Sequence, residues 1–190
     1  MKKLITSANA TGIALLLLIF CAFNANAAGE IKKARLQAFN RITVSGKVEI
    51  TLVQDNEPEI YYEDENMGRV KVIQNGYILN ISSVGKEVAR LRLHVRDLWR
   101  IIATEDAVIK TEGELRGEYL QLFLKDNARL SVNSRTRGLF TMVEDGASLK
   151  LSGFTQEHFL RSAETSKLVL DQFFAVQTRN EALAVEAVSK

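Results

Sequence analysis

From Phe39 onward, apolar and polar residues alternate with a period of two rather than 3.6. An extended chain places such residues on two opposite faces, so the pattern predicts strands. ITVSGKVEITLVQ (42–54) puts Ile42, Val44, Val48, Ile50 and Leu52 in alternation, with Ser45-Gly46 as a turn or bulge. EIYYED (59–64), RVKVIQ (69–74), YILNIS (77–82) and RLRLHVRDLWR (90–100) continue it. Asn75-Gly76 lies between two such runs, which predicts a hairpin with a type I′ turn and positive φ at both residues. Residues 28–38 fit either a short helix or a loose lead-in.

The second half repeats. Glu105, Asp126, Asp145, Glu164 and Asn180 form one column. Small residues follow two positions later (Ala107, Ala128, Ala147, Ser166, Ala182), and four positions later come Ile109, Leu130, Leu149, Leu168 and Ala184. Four before the column lie Ile101, Leu122, Thr141, Leu160 and Val176, and six before it Trp99, Leu120, Leu139, His158 and Phe174. Even offsets share a strand face, so each unit of about 19 residues reads as strand, sharp polar turn, strand. Asp and Asn suit the turn because they tolerate tight backbone geometry. One such unit cannot bury its apolar face, but stacked units can, which predicts a β-solenoid. An antiparallel sandwich also fits strands at regular spacing.

The N-terminus changes the picture of compartment and charge. Lys2 and Lys3 precede the apolar run Ile13–Phe20, and Ala25-Asn26-Ala27 supplies small residues for cleavage before Ala28. This is the pattern of a secretory signal peptide over 1–27, too short for a comfortable membrane span, and it implies an exported protein of the periplasm or cell surface. The only cysteine, Cys21, lies inside it, so no disulfide or thiolate metal site is expected in the remainder. The whole chain has 25 Lys+Arg against 23 Asp+Glu; the signal removes two lysines and no acid, leaving 23 against 23. Zero net charge argues against a nucleic-acid partner. With one proline and no Gly/Ser-rich linker, residues 39–190 read as a single domain.

Val44-Ser45-Gly46, Ile50-Thr51-Leu52-Val53-Gln54, Asp64-Glu65-Asn66 and Gly76-Tyr77-Ile78-Leu79-Asn80-Ile81 resemble the opening of the head GIN domain family of putative auto-transporter adhesins. In the later units only Asp145-Gly146-Ala147-Ser148 is close to that family's turn pattern, so the chain resembles a diverged member. The resemblance implies a right-handed parallel β-helix-like fold in an exported bacterial protein, with no catalytic residues to carry over.

Candidate chemistry is sparse. His94 and His158 are the only histidines and have no partner at metal-ligand spacing. No nucleophile triad or phosphate-cradling loop appears, so no cofactor, metal or catalytic residue is assigned. Glu63, Asp64 and Glu65 beside Tyr61 and Tyr62 would suit a glycosidase-like acid pair with sugar platforms, or simply an acidic loop. The acidic column would suit calcium between coils, or simply turn chemistry. The sharpest constellation is Arg90, Arg92, His94 and Arg96, opposite Leu91, Leu93 and Val95 on one predicted strand. Such a cationic stripe fits an acidic polysaccharide, since Arg holds carboxylates in a bidentate fork; it fits a solvated strand face too, with Glu49 or Glu59 neutralising it.

The expectation is therefore an all-β protein, with N-terminal β-hairpins leading into a short solenoid of about 19-residue coils. Its leading function is a non-enzymatic binding or adhesion module of a bacterial envelope. A carbohydrate-active enzyme and a structural envelope protein associating through solenoid edges are the alternatives.

Overall fold

The computed structural model describes residues 32–63 and 69–183. The predicted signal peptide, residues 28–31 of the lead-in, and Asp64 and Glu65 lie outside them. The described residues hold thirteen strands and no helix, all in one mixed sheet. Nine of its twelve strand pairs are parallel, which rules out the antiparallel sandwich. The described part of the lead-in supplies β1 (Lys32–Arg35), antiparallel to β4 (Glu59–Tyr62).

In the second half, β8 (Arg100–Ala103), β9 (Val108–Glu112), β10 (Leu115–Leu124), β11 (Arg129–Val143), β12 (Ser148–Ser162) and β13 (Lys167–Ala182) pair only in parallel with one another. Leu122 stands beside Ile101, 21 residues earlier, and beside Thr141, 19 later. Leu130 likewise stands beside Ile109 and Leu149, and Leu149 beside Leu168. The apolar columns of the sequence thus become ladders whose inner rungs are sealed, Ile101, Leu122 and Leu149 at 0% exposure. Each such side chain contributes about 1.5–3 kcal/mol by leaving water.

The acidic column marks the bends. In 104–107, 125–128 and 144–147 the amide of the closing alanine donates to the carbonyl three residues earlier, at 3.3, 3.2 and 3.2 Å. Glu105, Asp126 and Asp145, second in each turn, have φ of 58°, 61° and 52°. Gly46, with φ 77°, occupies the same place one layer away, since Arg41 is the register partner of Arg100. The acids also tie turn to turn, because Asp126 Oδ2 accepts the Glu105 N–H at 3.0 Å. Ala107, Ala128 and Ala147 are fully buried, so no larger side chain fits the inside of the bend without displacing the core.

Three expectations need correction. Asn180 is not the fifth turn residue: it lies within β13 opposite Leu160. A register shift between Lys150 and Ser152 adds one residue to the last unit, which moves Asn180 out of the column; Ala182 likewise stands beside Ser162, and Ala184 lies outside the described residues. Trp99 and Phe174 are exposed rather than inward, although Leu120, Leu139 and His158 of their column are buried. The N-terminal half is also not a set of hairpins preceding the repeat. β2 (Arg41–Ser45) and β3 (Val48–Gln54) lie parallel to β8 and β9, 59 residues later. On their other side they lie parallel to β6 (Ile78–Ser83) and β7 (Ala89–Val95). Among the described residues one hairpin is present, β5 (Val70–Asn75) with β6; its loop is Gly76-Tyr77 with positive φ at Gly76 alone, the type II′ pattern rather than I′. Period-two alternation is the same for parallel and antiparallel pairing, so the partner of each strand is not visible in it.

Candidate functional site

The predicted cationic stripe is built as expected but is met by acids. β7 lies between β3 and β4. Arg90 Nε reaches Glu49 Oε2 at 3.0 Å, Arg92 Nη1 reaches Glu112 Oε2 at 2.7 Å, and Arg96 Nε reaches Asp97 Oδ2 at 3.1 Å. His94 Nδ1 stands 3.0 Å from Asp55 Oδ2, and its ring lies 4.9 Å from that of Tyr61. Glu59, though opposite His94 in register, turns to Lys33, Arg35 and the Tyr61 hydroxyl instead. The Tyr61 hydrogen bond, followed by the two cations, holds the Glu59 carboxyl below the usual carboxylate range against the opposing effect of desolvation. Tyr61 is therefore committed to a structural knot that fastens β1 to β4. It is not free as a sugar platform.

A second constellation does not stand out in the sequence. Tyr77, Asn40 and Trp99, each just before a strand, and Gln121 within β10 follow one another across adjacent strands: the Asn40 N–H donates to Tyr77 O, Trp99 N–H to Asn40 O and Gln121 N–H to Trp99 O, at 3.1, 2.7 and 2.8 Å. This row opens onto a groove of about 480 Å³ lined by Arg41, Trp99, Arg100, Arg116, Tyr119 and Gln121, among others. A shallower depression bounded by Tyr77, Arg41 and Trp99 continues it. Tyr77, Trp99 and Tyr119 are 67%, 56% and 56% exposed, unusual for aromatics of this size unless a partner covers them. Tyr119 lies flat against Gly138 of the next layer, where a Cβ would stand 2.8 Å from the ring.

Charge in this groove differs from that of the stripe. Arg41 and Arg100 are direct register partners on adjacent parallel strands. Arg100 Nε donates to the neutral amide of Gln121 at 2.7 Å, and its guanidinium lies 5.2 Å from the Phe123 ring centre. Among the described residues neither arginine meets a carboxylate within ion-pair distance. Asn40 Oδ1, buried beside the depression, has no donor there either. Asp97 and Glu118 also line the groove, yet neither pairs with Arg41 or Arg100, so the two adjacent guanidinium groups keep their remaining donors for a ligand's carboxylate, sulfate or phosphate. Trp99 in a column of leucines is the one signal of this groove that the sequence carries.

His158 is core. Its Nε2 lies 3.0 Å from Thr141 Oγ1 and its ring meets Phe173 edge-on, while burial pushes the imidazole pKa down to about 4. Among the described residues no three His, Cys, Asp or Glu side chains converge as metal ligands. No helix there is long and apolar enough to cross a membrane.

A scaffold of one mixed β-sheet thus presents exposed aromatic and cationic side chains around a groove. The chain belongs to the family described as "Putative auto-transporter adhesin, head GIN domain", whose profile matches residues 38–180. This agrees with the resemblance drawn from residues 39–82. The fold is similar to that of a putative adhesin from Bacteroides fragilis NCTC 9343 (TM-score 0.71, 17% identity, 82% of this chain and 77% of that one). It is also similar to a putative adhesin from Parabacteroides distasonis ATCC 8503 (TM-score 0.61, 14% identity, 80% and 77%). A third similar structure is a putative lipid binding protein from the same strain (TM-score 0.58, 9% identity, 80% and 78%). No curated protein sequence matches the chain.

Proposed function

We propose that this chain is an exported, non-enzymatic binding module of a bacterial cell envelope, and that it holds an anionic glycan in the groove around Arg41, Trp99 and Arg100. The scaffold in this reading is a right-handed parallel β-helix of about 19-residue coils, released from its signal peptide and carrying its ligand site on a lateral face. The carrying observation is the juxtaposition of three exposed aromatic rings with two arginines that lack an acid partner among the described residues. Sugar rings stack on aromatic faces through their C–H surfaces, and the guanidinium pair would take the carboxylate or sulfate. The stripe Arg90, Arg92, His94 and Arg96 is the second reading. It has the linear spacing a polymer needs, but a ligand there must displace the acids already seated.

Retention of the purified exported chain on heparin and on acidic bacterial polysaccharides tests this. Retention should fall as salt rises, because exposed charges are screened beyond about 8 Å at physiological ionic strength. Trp99→Ala and the pair Arg41→Gln/Arg100→Gln should each weaken it at least tenfold, a change of about 1.4 kcal/mol or more. The triple Arg90→Gln/Arg92→Gln/Arg96→Gln should change it far less. The reverse order of effects would move the ligand to the stripe. No retention by the parent would reject glycan binding, and turnover of the polymer would reject the non-enzymatic reading.

A further inference from the structure

The sheet has three outer strands, and they are finished in different ways. β1 is four residues long and reads Lys-Lys-Ala-Arg; β5 is six residues and carries Lys71. Short, charged edges of this kind discourage another strand from pairing. β13 has sixteen residues and, among the described residues, pairs on one side only, with β12. Val169, Phe174 and Val176 on it are 40%, 62% and 61% exposed. Beneath them the ladder itself is open: Leu168, Leu170 and Phe173 pack on the core yet are only half-buried, whereas Leu149, one layer in, is sealed. A long, apolar, unpaired edge over an open core invites a partner strand.

The charges along β13 say which partner fits. Lys167 and Asp171 lie in its first half, Arg179 and Glu181 in its second. A two-fold axis through Ala175 runs two copies of β13 antiparallel. It sets Asp171 of each against Arg179 of the other, Phe174 against Val176 and Gln172 against Thr178. Lys167 then falls one diagonal step from Glu181 of the second copy, still within reach of long side chains. Glu181 reaches Arg161 of its own chain at 3.6 Å, so the second cation extends an existing pair. The opposite end of the stack, closed by the antiparallel strands β1, β4 and β5, offers no matching edge for head-to-tail growth. From this self-complementarity we infer that β13 is the interface of a closed two-fold dimer, joined through the open ends of the two sheets.

Sedimentation velocity of the full exported chain, from about 1 to 100 μM, tests this, with a reversible dimer in the micromolar range expected and no larger species. Asp171→Arg alone and Arg179→Asp alone each oppose like charges across the axis and should raise the dimer Kd at least about tenfold. The double exchange Asp171→Arg/Arg179→Asp restores opposite charges and should recover the parent Kd. Circular dichroism checks that each variant stays folded; both positions are exposed on an edge strand. A parent that is monomeric throughout, or that grows beyond two copies, overturns the inference. So does a double exchange as weak as the single changes, or single changes without effect. Deleting residues 184–190 adds a further arm: a monomeric parent that dimerises on deletion shows that the chain's own tail occupies the edge, which overturns the second copy as its partner.

Discussion

The two ends of this molecule solve the same problem in opposite ways. Any stack of strands leaves backbone donors, acceptors and inward side chains uncovered at its first and last layers. At the N-terminal end the chain uses local devices: antiparallel strands, three cations in four residues of β1, and the carboxylate of Glu59 gathering Lys33, Arg35 and the Tyr61 hydroxyl. At the C-terminal end β13 lies in parallel on β12, and among the described residues nothing covers its outer edge or its half-buried leucines. Parallel strands laid one on another bury the inward side chains of each inner strand, but the outermost strand has no such neighbour.

The contrast can be tested from the largest expected effect to the smallest. Leu149→Asp places an unpaired carboxylate in the middle of the ladder, where no layer is spared, and should cost about 3–5 kcal/mol in chemical denaturation. Ser148→Asp, next to it on the outer face, should stay within about 0.5 kcal/mol. Equal losses would mean that the inward face has been assigned wrongly.

Gly153 bends β12 one layer from the open end, with φ 97°, and an added Cβ would lie 2.1 Å from the Ser134 carbonyl oxygen. Gly153→Ala must push adjacent layers apart and should cost about 3 kcal/mol. Gly113→Ala, at φ 82° with open space around it, carries only the conformational penalty of about 1 kcal/mol. Similar melting temperatures for the two variants would show that the layers yield freely.

Acid should loosen the two ends by different groups. The buried His158 imidazole titrates near 4 in the fold and near 6.5 when unfolded. Between those values the unfolded chain binds the additional proton. The stability tied to neutral His158 is therefore complete above about pH 6.5, declines as pH falls toward 4, and amounts to about 3 kcal/mol. Comparing parent with His158→Gln across this window isolates it from the carboxylates; a difference that does not change with pH would refute the depressed pKa. At the other end, the Glu59 carboxyl is held below its ordinary 4.5. Its contribution is present above that value and is lost as pH falls through the lower, folded one. Glu59→Gln should release the amides of β1 to hydrogen exchange while the main unfolding transition moves little. Exchange unchanged in β1 would mean that backbone pairing alone holds it.

Much of this fold is legible in the amino-acid sequence. The columns led by Ile109, Leu130 and Leu149, the buried Ala107, Ala128 and Ala147, and Glu105, Asp126 and Asp145 at positive φ all follow from side chains acting within one turn or one layer. Gly46 belongs to the same turn column but does not stand out there, because 59 residues separate it from Glu105 where the repeat suggests about 19. Asn180 leaves the column for the reverse reason: one extra residue at the Lys150–Ser152 irregularity shifts everything after it. For the stripe, the residues facing one way are evident, as are Glu49 as a neutralising acid and Asp97 beside Arg96, while Glu112 reaches Arg92 from β9, 20 residues away, and only the pairing of strands shows it.

What the amino-acid sequence determined by itself was the strand content, the face on which most side chains lie, the positions of the bends and the family. These are set by alternation and turn chemistry, whose physical range is a few residues. Tertiary structure alone decided the order of the layers, with β2 and β3 inserted between β6/β7 and β8/β9. It also decided that Trp99 joins Tyr119 in one groove and Tyr77 in the adjoining depression, and that Arg41 and Arg100 stand together with no acid at ion-pair distance among the described residues. Those features depend on which strand hydrogen-bonds to which, and backbone donors and acceptors are the same in every strand. Only the packing of inward side chains across many residues of separation selects among the pairings.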